Sequence, residues 1–365
     1  MKSTIIRFFL LSLFGSILSF VPKAIAQTPA QAQAPQGFHI QTQWKLGGKG
    51  GWGPMHFDSS SKLLYIPRTD RVSVVNSDSG QIVGEVPGFG DARSVALDEQ
   101  GKFGYVTDIM DGTIGLVGVF DRATYKTVTT IKVGRLPGAI LFDPVTKSVF
   151  AFSTRDRNVS VIDTATNTVT ATIPLSGRPH LAVTDNHGTI FVSLYPAGHA
   201  AVQLNGQVLR IDTKTQAITA TWSIDSCPQF TGLTLDPANK QLIGACPAQK
   251  LIAINAESGQ VTPVGEVAVD SADLAFDPEH GLLFSGTNSG ILAVFHQDSA
   301  TQFTHLADVP TKLRAGTIAV DPNQGRAFLV TATFGQRPVP GKGMEEMQAR
   351  LIPIPDSFVV FVVGR

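Results

Sequence analysis

Two polar side chains stand out in this 365-residue sequence because aligned segments of the same chain mostly carry small residues. His180 closes a Gly-Arg-Pro-His segment, and Asp273 aligns with Pro54, Ser94 and Ala139. An imidazole or a carboxyl can transfer a proton near neutral pH or contact a ligand. His180 and Asp273 are therefore the candidate catalytic residues. No phosphate-binding loop, nucleophile elbow, His-Glu-x-x-His or Cys-x-x-Cys motif accompanies them.

His56 is a further polar exception, two residues before a recurring aspartate. The other segments carry smaller or apolar residues there: Ala96, Leu141, Val183, Thr234, Ala275 and Ala319. Two interpretations stay open, a buried histidine with satisfied hydrogen bonds or a ligand-binding residue. Trp52 and Phe230 offer stacking surfaces for a ring, or else pack inside the protein.

Basic residues recur in the loops that lead into the repeated segments and in the neighbouring loops. They are Lys49, Arg68, Arg93, Arg135, Arg155, Arg178, Lys312 and Arg314. The planar guanidinium suits carboxylate and phosphate, so this ring favours an anionic small molecule. Asp225, Asp270 and Asp273 make one side of the ring acidic. The alternative is that the arginines pair with loop acids and only stiffen the rim.

These residues are positioned by a repeat, of which Lys147 to Val183 is the clearest copy. Each copy has a strand that ends in aspartate, then a turn and further strands: Asp58, Asp98, Asp143, Asp185, Asp236, Asp277 and Asp321. The intervals between these aspartates are 40, 45, 42, 51, 41 and 44. This period, with four strands per copy and alternating polarity, predicts an all-β seven-bladed propeller of antiparallel blades. The aspartates themselves are interpreted as turn residues.

The chain ends predict how the ring closes. Phe358 to Val363 matches a third strand, and Gly37 to Gly48 matches the fourth strand that the last copy lacks. The N-terminal strand is therefore expected to pair with the C-terminal one, which removes exposed sheet edges.

Tyr105-Val106-Thr107-Asp108 differs by one residue from the tetrapeptide that names the YVTN repeat. The segment SVIDTATNTVTATIPLSGRPH is also close to that repeat's consensus. The chain resembles the YVTN-repeat, or YncE-like, seven-bladed propeller family, as a secreted member. The resemblance implies the fold over nearly all of residues 37–365, but it implies no particular activity. The fifth and sixth copies depart most from the motif.

Residues 1–26 have the composition of a signal peptide, with Lys2 and Arg7 before an apolar run and Ala24-Ile25-Ala26 at the end. The apolar run is too short for a membrane anchor. Residues 27–36 are predicted to be a disordered leader, and residues 37–365 a single domain. Periplasmic or secreted localisation follows. Without the signal the acids outnumber the bases by three, which makes nucleic-acid binding a poor prediction.

The chain has only two cysteines, Cys227 and Cys246. Antiparallel geometry brings both to the same face of the fifth blade, so we expect a disulfide in an exported protein. The histidines are scattered without metal-ligand spacing, so neither a metal nor another cofactor is predicted.

Two functional hypotheses remain. The first is a monomeric, non-catalytic scaffold that binds a small ligand or a protein partner through the face bearing the basic ring. The second is a lactonase or hydrolase of the propeller type, with His180, Asp273 and Arg93 as its leading residues.

Overall fold

A computed structural model of the protein describes residues 37–98, 100–195, 205–268, 270–337 and 350–365. The predicted signal peptide and leader, residues 1–36, lie outside this part. No helix that could span a membrane occurs within it. The described chain is all-β, as the repeat predicts.

Seven four-stranded antiparallel sheets form the blades of a propeller. Six of them are simple meanders in chain order. Blade 1 comprises β2 (His56–Asp58), β3 (Leu63–Arg68), β4 (Arg71–Asn76) and β5 (Ile82–Pro87). Blade 2 comprises β6 (Ser94–Leu97), β7 (Phe103–Met110), β8 (Ile114–Asp121) and β9 (Thr127–Val133). Blade 3 comprises β10 (Pro137–Asp143), β11 (Ser148–Ser153), β12 (Asn158–Asp163) and β13 (Thr168–Pro174).

The next three blades repeat this order. Blade 4 comprises β14 (Arg178–Thr184), β15 (Thr189–Tyr195), β16 (Gly206–Asp212) and β17 (Ala217–Ile224). Blade 5 comprises β18 (Gly232–Asp236), β19 (Gln241–Cys246), β20 (Lys250–Asn255) and β21 (Val261–Glu266). Blade 6 comprises β22 (Ser271–Asp277), β23 (Leu282–Thr287), β24 (Ile291–Ser299) and β25 (Gln302–Pro310).

Blade 7 joins the two ends of the chain. It combines β26 (Thr317–Asp321), β27 (Arg326–Thr331) and β30 (Val359–Gly364) with the N-terminal strand β1 (His39–Lys45). The predicted closure is confirmed, since β1 pairs with β30 from His39 opposite Gly364 to Lys45 opposite Val359. A separate ribbon of β28 (Phe334–Arg337) and β29 (Arg350–Pro353) precedes β30.

The hydrophobic core lies between the blades. The residues of β11 are all buried, whereas the outer strand β13 alternates and is mostly exposed. One cluster joins Phe150 and Val161 of blade 3 to Ile190 of blade 4. Each blade therefore needs its neighbours to cover both faces, which explains how one domain of this size can be built.

Polar side chains close the turns between the third and fourth strands. In blade 3 the Thr166 amide and hydroxyl each donate to Asp163 Oδ1 at 2.8 Å. Asn167 follows in the left-handed conformation, with a φ of 54°, which asparagine tolerates better than most residues. The sequence Asp-Thr-Ala-Thr-Asn therefore specifies this turn chemically.

The repeated aspartates also link adjacent blades. Arg122 of blade 2 forms an ion pair with the buried Asp58 of blade 1. Gln297 of blade 6 donates to Asp236 of blade 5 at 2.7 Å. The structural interpretation of these two aspartates is thus supported, and their partners in the adjacent blades are Gln297 in the third strand of blade 6 and Arg122 directly after the third strand of blade 2.

Arg68 reinforces the closed ring from inside. Its side chain is 1% exposed and donates to the carbonyl oxygens of Gly47, Lys49, Gly50 and Gly51 at 3.0 to 3.4 Å. The guanidinium also lies 3.7 Å from the ring centroid of Phe358, next to β30. Arg68 therefore connects the loop after β1 to blade 1. The sequence predicted that Arg68 would bind a ligand, but its side chain does not contact the channel.

The predicted disulfide is confirmed. Cys227 and Cys246 are bonded, with their Cα atoms 5.3 Å apart, and both are buried in blade 5. It closes a loop with a sequence separation of 19, which corresponds to about 3 kcal/mol of stability in the chain-entropy description.

Replacing Arg68 with methionine should leave the four carbonyl oxygens without their donor while keeping the volume. We expect the free energy of unfolding to fall by about 2–4 kcal/mol, as measured by urea denaturation. Arg155→Met, at an exposed position, is the matched control and should change it by less than about 0.5 kcal/mol. Equal effects of the two substitutions would contradict the role given to Arg68.

Candidate functional site

A cavity of about 1090 Å³ lies on the central axis and is lined by residues from all seven blades. We call the face with the loops before each inner strand the top face. Toward that end the polar lining residues are Arg93, Ser94, His180, Thr231, Asp273 and Thr317, and His56 lies further along its inner strand, two residues before Asp58. At the other end they include Asp98, Lys147 and Asn186. Between them the wall is mostly apolar, so the cavity can hold a small organic molecule.

Five of the residues singled out from the sequence share this cavity: Trp52, His56, Arg93, His180 and Asp273. The radial arrangement of the inner strands and their entry loops brings them together, although they belong to different blades. The remaining predicted binding residues are not part of its lining in the described structure.

Asp273 is half-buried in the cavity wall. The Leu274 amide donates to its Oδ1 at 2.9 Å, and the Ile318 amide of blade 7 donates to its Oδ2 at 3.2 Å. Burial raises the pKa of the carboxyl to about 7, although both backbone hydrogen bonds act to lower it. Asp273 therefore changes charge near neutral pH.

His180 is held as a neutral imidazole. Its ring lies against Tyr195, with 4.2 Å between the ring centroids. Burial lowers the pKa to about 4, and a hydrogen bond with the Phe230 backbone opposes only part of that effect. The Nδ1 atom is buried and has no hydrogen-bond partner within the described residues.

Trp52 and His56 occupy the blade 1 side. His56 is half-buried and stands opposite Tyr65 in the adjacent strand. The Trp52 ring packs against Phe358 and Phe334, with centroid distances of 5.4 and 6.0 Å, while also lining the cavity. Packing and ligand contact are thus compatible for Trp52.

Phe230 does not provide a stacking surface in the cavity, because its side chain is 1% exposed. The ring fills space beside blade 5 so closely that a Cβ atom at Gly244 would lie 2.6 Å from it. The packing alternative therefore describes Phe230, and the glycine at 244 makes room for the ring.

The rim arginines fall into two groups. Arg93 pairs with Asp91 at 2.8 Å, and Arg135 pairs with Asp156 at 2.6 Å. Pairing with loop acids, the alternative interpretation, thus describes these two. The other predicted rim cations are exposed: Lys49, Arg155, Arg178, Lys312 and Arg314. The guanidinium of Arg314 also lies over the Phe334 ring.

Sequence comparison among the blades did not single out Tyr195 or Thr317. Tyr195 ends β15 and supports His180, a contact that depends on the position of β15 beside β14. Thr317 precedes Ile318, whose backbone amide donates a hydrogen bond to Asp273. The position of Thr317 near Asp273 therefore depends on a contact between blades 6 and 7. The described residues contain no group of three or more His, Cys, Asp or Glu side chains that could hold a metal ion.

No protein-family model matches the sequence, and no curated protein matches it. Solved structures are similar in fold. A chain of the hydrazine synthase of Kuenenia stuttgartiensis has a TM-score of 0.65 and 16% identity, over 90% of this chain and 99% of that one. The RRP9 WD40 repeats have a TM-score of 0.68 and 11% identity, over 90% and 98%. U3-55K has a TM-score of 0.66 and 12% identity, over 89% and 98%. At these identities the similarity shows the propeller fold alone.

Asp273 and His180 should affect stability in opposite directions as the pH changes. The folded state keeps the Asp273 proton up to about pH 7, whereas the unfolded state loses it near 3.8, so this group lowers stability as pH rises between those values. The His180 pKa falls from 6.5 to about 4, so this group raises stability as pH rises between 4 and 6.5.

Measurement of unfolding free energy from pH 4 to 8 should therefore separate the two groups. Asp273→Asn removes the contribution that lowers stability as pH rises. The stability of this variant should therefore rise more steeply toward pH 6.5 than that of the wild type. His180→Gln removes the contribution that raises stability with pH, so the stability of this variant should rise less than that of the wild type between pH 4 and 6.5. Parallel curves for all three proteins would contradict both assignments.

Proposed function

We propose that the protein is an exported, monomeric propeller of the YVTN-repeat, YncE-like type that binds a small ligand at its top face and catalyses no reaction of its own. The observation that carries this proposal is the axial cavity of about 1090 Å³. Its size and its few polar groups in an otherwise apolar wall are typical of small-molecule sites.

Export is supported by two independent features. Residues 1–26 have the composition of a signal peptide, and the cysteine pair forms a disulfide. Disulfides persist in oxidising compartments, which favours the periplasm or the cell exterior. The YVTN-like segments Tyr105 to Asp108 and Ser160 to His180 support the family assignment.

The exposed rim cations favour a ligand with a negatively charged group. Arg178 precedes His180 on β14, and Arg93 lines the cavity itself. Although Arg93 pairs with Asp91, its side chain remains 51% exposed and can exchange that partner for a carboxylate or phosphate.

One observation favours a second candidate, the hydrolase or lactonase. The pKa of Asp273, near 7, is suited to general acid or base catalysis. However, burial lowers the pKa of His180 to about 4, which makes its imidazole a weak base, and the axial cavity supports binding without requiring a reaction. Turnover of chromogenic esters or lactones by the wild type, lost in Asp273→Asn, would reverse this order.

A thermal-shift screen with anionic metabolites should find compounds that stabilise the wild type. Because the rim arginines are expected to bind the anionic group, the double variant Arg93→Ala, Arg178→Ala should lose at least about tenfold in affinity. Isothermal titration calorimetry measures this loss directly.

The matched control removes two exposed lysines from the bottom-face turns, as Lys126→Ala, Lys214→Ala. It alters the net charge equally and should leave the affinity unchanged. Equal losses in both double variants would mean that long-range charge, not the top face, accounts for binding.

A further inference from the structure

Asp273 lines the cavity, and no positive charge contributes to the shift of its pKa. Its two hydrogen-bond donors are the backbone amides of Leu274 and Ile318, and no lysine or arginine of the described chain forms an ion pair with it. A carboxylate accepts about four hydrogen bonds, so the two amides leave acceptor positions that a ligand in the cavity can use.

Two threonines that line the cavity, Thr231 and Thr317, belong to blades 5 and 7, which flank the blade of Asp273. Thr231 precedes Gly232, whose backbone lies so close to blade 6 that a Cβ atom there would be 2.9 Å from the Asp273 carbonyl carbon. Thr317 precedes Ile318, the donor to Asp273. The Thr231 hydroxyl donates to the Ala245 carbonyl at 3.3 Å, which directs its proton away and leaves its lone pairs as acceptors. Both threonines line the cavity.

This side of the cavity is therefore rich in acceptors and acidic. The opposite side carries Arg93, whose charge is balanced by Asp91. Apolar side chains complete the wall and can enclose a hydrocarbon body, among them Met55, Leu181 and Leu233.

We propose that Asp273 binds a primary ammonium group of the ligand, together with the hydroxyls of Thr231 and Thr317. An ammonium has three donors, and these side chains supply three acceptors. The inference rests on the proposed function, in which the rim arginines bind an acidic group. The ligand of the channel is then a small zwitterion with its ammonium end at blade 6.

The binding of an ammonium must depend on pH, because only the ionised carboxylate attracts it. With a pKa of about 7, the ionised fraction of Asp273 rises about tenfold from pH 6 to pH 8. On the same blade as Asp273, the other titratable group nearby is Asp270, in the loop before β22. The facing segments of blades 5 and 7, residues 231–235 and 316–320, carry no titratable side chain. Elsewhere in the cavity lining the titratable or charged groups are His56, Arg93, Asp98, Lys147 and His180.

The test uses matched probes that differ only in their end groups. Caproate has the acid alone, hexylamine the ammonium alone, and ε-aminocaproate both; butyrate, butylamine and γ-aminobutyrate form a shorter set. Calorimetry with the full-length exported protein should find the zwitterion of one set to be the tightest ligand. Its affinity should rise about tenfold from pH 6 to pH 8, whereas that of the acid alone should not.

Asp273→Asn should reduce the affinity for the zwitterion and the amine by about tenfold or more and remove the pH dependence. It should leave the affinity for the acid unchanged. Thr317→Val, a milder change that preserves the shape, should weaken only the ammonium-bearing probes, by about threefold. Circular dichroism checks that both variants are folded.

The outcomes separate the two proposals. If caproate or butyrate binds and depends on Arg93 and Arg178, but the ammonium gives no advantage, the ammonium inference is wrong and the proposed function stands. If the amines bind through Asp273 and the acids do not, the inference stands and the anionic part of the proposed function is wrong. Equal competition by sodium or calcium ions, or no ammonium-dependent binding in either set, overturns the inference.

Discussion

The hydrogen bonds between β1 and β30 join strands from opposite ends of the chain. Every other blade is a local meander. The two faces of its sheet are buried only when both neighbouring blades are present. Blade 7 has no local fourth strand and would expose the edge of β30. The stability of each interface in the ring, and hence the shape of the channel, therefore depends on this one non-local pairing.

The channel is the place where the requirements of the scaffold and of the candidate site compete. The inner strands pack side by side around the axis, so a polar side chain there is costly unless it is hydrogen-bonded. Asp273 accepts hydrogen bonds from backbone amides of two blades. His180 packs against the Tyr195 ring and makes one hydrogen bond with the Phe230 backbone. Their pKa values move in opposite directions, and each shift favours the uncharged form. The site thus remains compatible with its apolar surroundings.

The fold could be predicted because its determinants are local. Asp163 and Asn167 encode a turn, the strands alternate in polarity, and the repetition of this unit sets the number of blades. The disulfide was predictable for the same reason, since Cys227 and Cys246 belong to one blade. Ring closure followed from counting the strands, not from any property of β1 alone.

The site was less predictable because side-chain direction and pairing depend on contacts between blades. Arg68 looked like a rim cation, but its guanidinium turns inward to four backbone carbonyls. Phe230 looked available for stacking, but the small Gly244 allows it to be buried. Asp273 and His180 were recognisable only as exceptions among aligned blades, and the role of Thr317 emerges from the neighbouring strand.

The arrangement of blade 7 also orders events in time. Among the strands, β1 is synthesised first and β30 last. β1 therefore has no partner strand while the other six blades are synthesised. The ring cannot close until β30 has left the ribosome.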